Sequence, residues 1–110
     1  MKAFTLIFSL LMAASGFAFA EEHASAALEH ANAAVTHGKA GHAPVLVEHA
    51  TTALEHAKAG AVVAKGDAKG HMNEGVKHLE EAVKHGKMNH ADVATKHAEE
   101  AVEHIKAGNQ

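Results

Sequence analysis

Twelve histidines stand out in this 110-residue chain: His23, His30, His37; His42, His49, His56; His71, His78, His85; and His90, His97, His104. Within each triplet the spacing is seven, and between triplets it is five, fifteen and five. Imidazole offers a neutral nitrogen donor at physiological pH and is the commonest protein ligand for transition metals. On an α-helix, however, seven residues rise about 10.5 Å. Two imidazoles each about 2.0 Å from one ion do not span that distance, so successive histidines of a triplet do not chelate together. The second ligand has to come from elsewhere.

One source is an antiparallel partner helix. The numbers of His23 and His56, His30 and His49, and His37 and His42 all sum to 79. In a hairpin turning near residues 39 and 40 they therefore lie at three common levels. His71 and His104, His78 and His97, and His85 and His90 repeat the relation with a sum of 175. The sequence leaves open which flanks of the helices face each other. The other source is a carboxylate three or four residues away on the same helix, where side chains meet. His71, Glu74, His78, Glu81 and His85 alternate in this way, and His97, Glu100 and His104 continue the pattern. The first half has Ala26, Ala33 and Thr52 where the second has Glu74, Glu81 and Glu100, and Val45 is matched by Val93, so the second half is expected to bind more tightly. Imidazole with carboxylate suits borderline divalent ions, with Cu(II) bound ahead of Ni(II) and Zn(II). There is no cysteine, which disfavours a dedicated Cu(I) site.

These side chains need helices to hold them. Ala, Glu, Lys and Leu are strong helix formers, and the apolar residues recur at three and four. With Leu28, Val35, Val47, Leu54, Val76, Val83 and Val102 at heptad position a, alanines, Met72, Leu79 and Ile105 fall at d, Thr95 is a polar lapse at a, and every histidine falls at c. Position c is expected to be largely solvated, giving open, exchangeable sites suited to buffering or scavenging. Position g, beside c, carries small residues apart from Leu46, so paired helices can approach closely.

A shift of 48 residues lays the first six histidines on the second six and matches Gly38-Lys39 with Gly86-Lys87 and Lys58-Ala59-Gly60 with Lys106-Ala107-Gly108. This is an internal duplication of a two-helix unit. Helices are expected near 22–37, 43–59 with possible extension to 65, 70–85 and 90–107. Gly38 and Gly86 suit helix C-termini, Pro44 a first helical position, and Asn89 an N-cap. Short connections make antiparallel hairpins. The expected fold is all-α, an up-down-up-down four-helix bundle of two duplicated hairpins, 21–60 and 71–110, joined by a linker at 61–70 that is read as flexible over Gly66–Gly70.

Residues 1–20 read as a cleaved secretory signal peptide. Lys2 is the positive n-region, residues 3–17 are mostly apolar, and Ala18-Phe19-Ala20 is a small-x-small cleavage site before Glu21. The mature domain, 21–110, is then periplasmic or secreted, with no stable membrane insertion. Losing Lys2 moves the formal net charge from -3 to -4, which speaks against nucleic acid as partner. All four phenylalanines lie in the leader, and no Trp or Tyr exists. A core so poor in large side chains is marginal in stability.

Haem is not expected, since there is no Cys-x-x-Cys-His and no histidine at a or d. No nucleophile, triad or buried acid pair points to an enzyme. The chief rival to metal binding is a protonation switch, in which histidines titrating near 6.5 charge in acid and splay the helices.

The leader, a mature chain of about ninety residues, and segments such as Ala53-Leu54-Glu55-His56-Ala57-Lys58, Ala82-Val83-Lys84-His85-Gly86-Lys87 and Ala101-Val102-Glu103-His104 resemble the small metal-binding protein family. The resemblance implies a monomeric periplasmic four-helix protein that binds several divalent ions, prefers copper, and acts in metal scavenging or copper homeostasis. Metal binding would carry over onto the twelve histidines.

Overall fold

The structure, a computed structural model, describes residues 16–109. Most of the expected leader, residues 1–15, lies outside them. Four helices follow in order: α1 (Gly16–Lys39), α2 (Ala43–Val63), α3 (Gly66–Lys87) and α4 (Ala91–Gly108). Each packs against its neighbour in the chain, and α1 closes the square against α4, while of the two diagonal pairs α2 and α4 touch only lightly. The result is the expected up-down-up-down four-helix bundle. Helix α1 passes through Ala20 and Glu21 without a break. Among the described residues, no helix is long and apolar enough to cross a membrane.

The helix ends differ from expectation in an instructive way. Gly38 and Gly86 do not end their helices; each lies inside the last turn, and the left-handed residues come three positions later, at Gly41 (φ 82°) and Asn89 (φ 62°). The Gly41 N–H donates to the Gly38 carbonyl and the His42 N–H to the His37 carbonyl, both at 2.9 Å. Asn89 and His90 repeat these bonds onto Gly86 and His85, again at 2.9 Å. This is the Schellman arrangement, which satisfies carbonyls the helix end would leave bare. Asn89 is therefore a turn residue and not an N-cap. His42 and His90 occupy the N-cap positions, without a capping side-chain bond. Pro44 sits in the first turn of α2, where a missing N–H costs nothing.

Gly38 and Gly86 serve packing instead. A Cβ on Gly38 would lie 2.7 Å from Leu46 Cδ1 and collide with the Thr95 hydroxyl, and one on Gly86 would lie 2.6 Å from Val47 Cγ2. Thr95, the polar lapse, is buried in the space Gly38 leaves and donates its hydroxyl proton to the Ala91 carbonyl at 2.6 Å.

The expected linker at 61–70 is mostly helix, including Gly66–Gly70, the stretch read as flexible. Only Ala64 and Lys65 separate α2 from α3, and Gly66 (φ 59°) takes the left-handed turn. Ala61 is buried, which holds the end of α2 in helical form. The Lys69 ammonium donates to the carbonyls of Ala61 and Val62, placing positive charge where the α2 dipole ends negative.

The core is centred between positions d and g. Ala24, Ala27, Ala31, Ala34, Ala50, Ala53, Ala57, Ala82, Ala94, Ala98 and Ala101 are buried with the four large side chains Leu46, Met72, Leu79 and Ile105. The aliphatic residues at a, including Leu28, Val35, Val47 and Val83, are only half-buried and pack from the side. Small residues at g and d let the backbones approach closely, and the bulkier a residues are pushed outward. On a helical wheel g and d are flanked by a on one side and c on the other. The histidines consequently border the core.

Candidate metal-binding seams

That shift of the core decides the environment of the histidines. Ten of the twelve are half-buried, and only His42 and His90, at the hairpin turns, are exposed. Expected as largely solvated, position c is the inner edge of a groove. The c flanks of α1 and α2 face each other, as do those of α3 and α4, so six histidines line each of two grooves, called seams here. The a flanks face the other neighbours. Gly86 of α3 sits against Val47 of α2, and the exposed pairs Lys39–Glu99 (3.5 Å) and Lys58–Glu80 (3.9 Å) bridge α1 to α4 and α2 to α3.

The open question of which flanks meet is thereby answered. Across the first seam the Nδ1 atoms of His23 and His56 are 3.1 Å apart and those of His30 and His49 are 3.4 Å apart. Across the second, His71 and His104 stand at 3.4 Å and His78 and His97 at 3.2 Å. Two nitrogens bound to one ion at about 2.0–2.1 Å, with a right or tetrahedral angle between them, are separated by about 2.8–3.4 Å. The four pairs have the spacing of adjacent ligands on a single ion. The pairs at the turns are looser, with ring centroids 6.2 Å apart for His37 and His42 and 6.0 Å for His85 and His90.

The rings do not form three separate levels. His30 also stacks on His56 (6.1 Å between centroids, 4° between planes) and His37 on His49 (5.4 Å, 5°). His78 with His104 (5.6 Å, 9°) and His85 with His97 (5.7 Å, 8°) repeat this. Each seam is a continuous zigzag of six imidazoles. Helical side chains lean toward their own N-terminus. In antiparallel helices the opposing rings therefore slide past one another, and each settles between two partners. That lean was available from the heptad register, but equal residue sums describe only Cα levels.

The seams differ in their carboxylates. Glu74, Glu81 and Glu100 occupy position f, just outside c, and the structure brings each into a group of three potential ligands whose donor atoms lie within 4.8 Å of one another. The groups are Glu74 with His78 and His104, Glu100 with His78 and His97, and Glu81 with His85 and His97. Each group keeps an expected same-helix pair, Glu74 with His78, Glu81 with His85 or Glu100 with His97, and adds one imidazole from the facing helix. Glu100 reaches His78 Nδ1 on α3 at 3.0 Å, closer than His97 on its own helix at 3.9 Å. Glu81 lies 3.6 Å from His85 Nε2. His85 Nδ1 is buried without a hydrogen-bond partner among the described residues, and a buried nitrogen left unpaired in this way is costly. Because the groups share His78 and His97, the Glu100 group excludes the other two when full, while the Glu74 and Glu81 groups can fill together. The first seam has no such group among the described residues.

One ring has a distinct acidity. Burial first, and the neighbouring His56 second, lower the His23 pKa below its ordinary 6.5, against an opposing pull from Glu22. Neutral imidazole, the form that binds metal, is favoured there.

A duplicated antiparallel four-helix bundle with two histidine-lined seams defines a metal-ligating helical protein. The chain matches the small metal-binding protein family over residues 1–108 and belongs to that family. No individual curated protein matches it.

Proposed function

We propose that the protein binds several divalent transition-metal ions in its two seams, Cu(II) in preference to Ni(II) and Zn(II), and buffers or scavenges them in the periplasm or outside the cell. The ligands are His23, His30, His37, His42, His49, His56, His71, His78, His85, His90, His97 and His104, with Glu74, Glu81 and Glu100 completing sites in the second seam. The observation that carries this reading is the cross-hairpin Nδ1 separation of 3.1–3.4 Å in four pairs. The copper preference follows from nitrogen and carboxylate donors under the usual affinity order, and the export from the leader pattern around Lys2 and Ala18-Phe19-Ala20. Sites at the edge of the core, open on their outer side, fit reversible exchange of cargo. They lack the enclosed, shaped cavity that metal catalysis needs, so binding and not turnover is the proposed role. Cu(II) titration by calorimetry, with electron paramagnetic resonance at each step, tests the reading. Two imidazole nitrogens per copper support paired rings, and one nitrogen throughout would refute pairing.

A further inference from the structure

The point at which the leader is read to end creates a ligand set that the seams do not contain. Cleavage after Ala20 leaves a chain beginning Glu21-Glu22-His23. We propose that this free N-terminus is a separate, planar four-nitrogen site for Cu(II) or Ni(II), formed by the Glu21 amine, the deprotonated backbone amides of Glu22 and His23, and His23 Nδ1. The inference rests on the export reading above, because an unprocessed chain has no amine at Glu21.

The chemistry follows from the spacing. A histidine at the third position lets one chain close three fused chelate rings around an ion, through amine, two amides and imidazole. Square-planar nitrogen coordination selects Cu(II) and Ni(II) among the divalent ions. A proline at position two would block the amide donor, and residue 22 is glutamate. Binding releases the ammonium proton and both amide protons.

The fold makes those donors available. In α1 as described, Glu21 to His23 lie within the helix. Once processed, they become its first turn, whose N–H groups have no acceptor within the helix. Metal binding to the Glu22 and His23 amides therefore displaces no helical hydrogen bond made by those groups, although the turn has to flatten locally. Cleavage also removes Phe19, whose ring packs edge-on against His23 at 4.3 Å. An open cavity of about 450 Å³ at this end of the bundle, lined by Ala20, Glu21, Ala24, Ala68 and Met72 among others, gives the new terminus room to rearrange. His23 Nδ1 is the atom that faces His56 at 3.1 Å, so the terminal site and the first rung of the seam compete for one nitrogen.

The test uses protein exported from a bacterial host with its own leader and recovered in processed form. Intact mass must correspond to residues 21–110; any other terminus overturns the proposal. The first equivalent of Cu(II) chloride is expected to show a four-nitrogen paramagnetic resonance pattern, and Ni(II) chloride alone a yellow diamagnetic complex. Glu22→Pro, which a helix first turn tolerates, is expected to lose both signatures while the later, seam-bound equivalents persist. His56→Gln is expected to keep them. Acetylation of the α-amine, near pH 7 where lysines stay protonated, is expected to act like Glu22→Pro. A first equivalent unchanged by Glu22→Pro and by acetylation, or abolished by His56→Gln, overturns the terminal site. Loss of the later equivalents in all forms would instead refute the seams.

Discussion

His23 and His56, thirty-three residues apart in the chain, hold their Nδ1 atoms 3.1 Å from each other across the groove between α1 and α2. His71 and His104 stand in the same relation on the opposite hairpin, at 3.4 Å. The duplication has preserved a distance that suits two ligands of one ion, and the following expectations rest on it.

Removing one ring of a close pair should cost far more than removing one at a turn. His49→Gln takes away the partner of His30 and is expected to weaken the affected site at least tenfold, about 1.4 kcal/mol. His42→Gln, at an exposed position with its partner ring 6.2 Å away, should change affinity severalfold less. Calorimetric Cu(II) titrations of the two variants make the comparison, and equal losses would count against the rung geometry.

The seams should fill in order, the second before the first, because among the described residues carboxylates join histidine groups in the second alone. Glu100→Gln is expected to lower affinity at the His78–His97 rung while leaving the Glu74 and Glu81 groups able to bind together. Nuclear magnetic resonance of the histidine side chains during titration reads the order. Earlier broadening of the first-hairpin histidines other than His23, which the terminal site also uses, would contradict it.

Two glycines on the same bundle should respond oppositely to one methyl group. Gly38→Ala drives a Cβ into Thr95 and Leu46 and should destabilise by about 1–3 kcal/mol, as overpacking does. Gly70→Ala, inside α3 with nothing within 4 Å of the new atom, should stabilise by about 0.5–1 kcal/mol from helix propensity. Thermal melts of the metal-free protein check both signs.

Metal and protons should act in opposition on stability. A ligand at a hundred times its Kd adds about 2.7 kcal/mol per site, so Cu(II) or Ni(II) should raise Tm and EDTA should reverse it. His23 has a folded pKa below 6.5. Its neutral form therefore contributes stability that is present above about 6.5, where the unfolded chain titrates, and is lost as pH falls through the lower folded value. Melts of metal-free protein should weaken over that acid range, less so in His23→Gln.

Much of this was legible in the sequence. The 48-residue shift gives the two hairpins, and the residue sums of 79 and 175 give the partners, because both depend only on chain periodicity. Three things depended on side-chain size and direction instead. The core moved from a and d to g and d because alanines permit a closer approach than Leu28 or Val47, and this carried the histidines from solvent to the groove edge. The lean of helical side chains turned three levels into a zigzag, joining His30 to His56 as well as to His49. The left-handed turns fell at Gly41 and Asn89, while Gly38 and Gly86 were needed for contact between helices, which no local cap rule encodes.

The most direct measurement is a crystal structure of the copper-loaded processed protein with anomalous scattering recorded at the copper edge. Ions between α1 and α2 and between α3 and α4, each bound by a nitrogen from both helices of its hairpin, are the expected result. Apart from the ion at the Glu21 terminus, ions held by one helix alone, or along the aliphatic grooves that join the hairpins, would contradict the paired-imidazole mechanism.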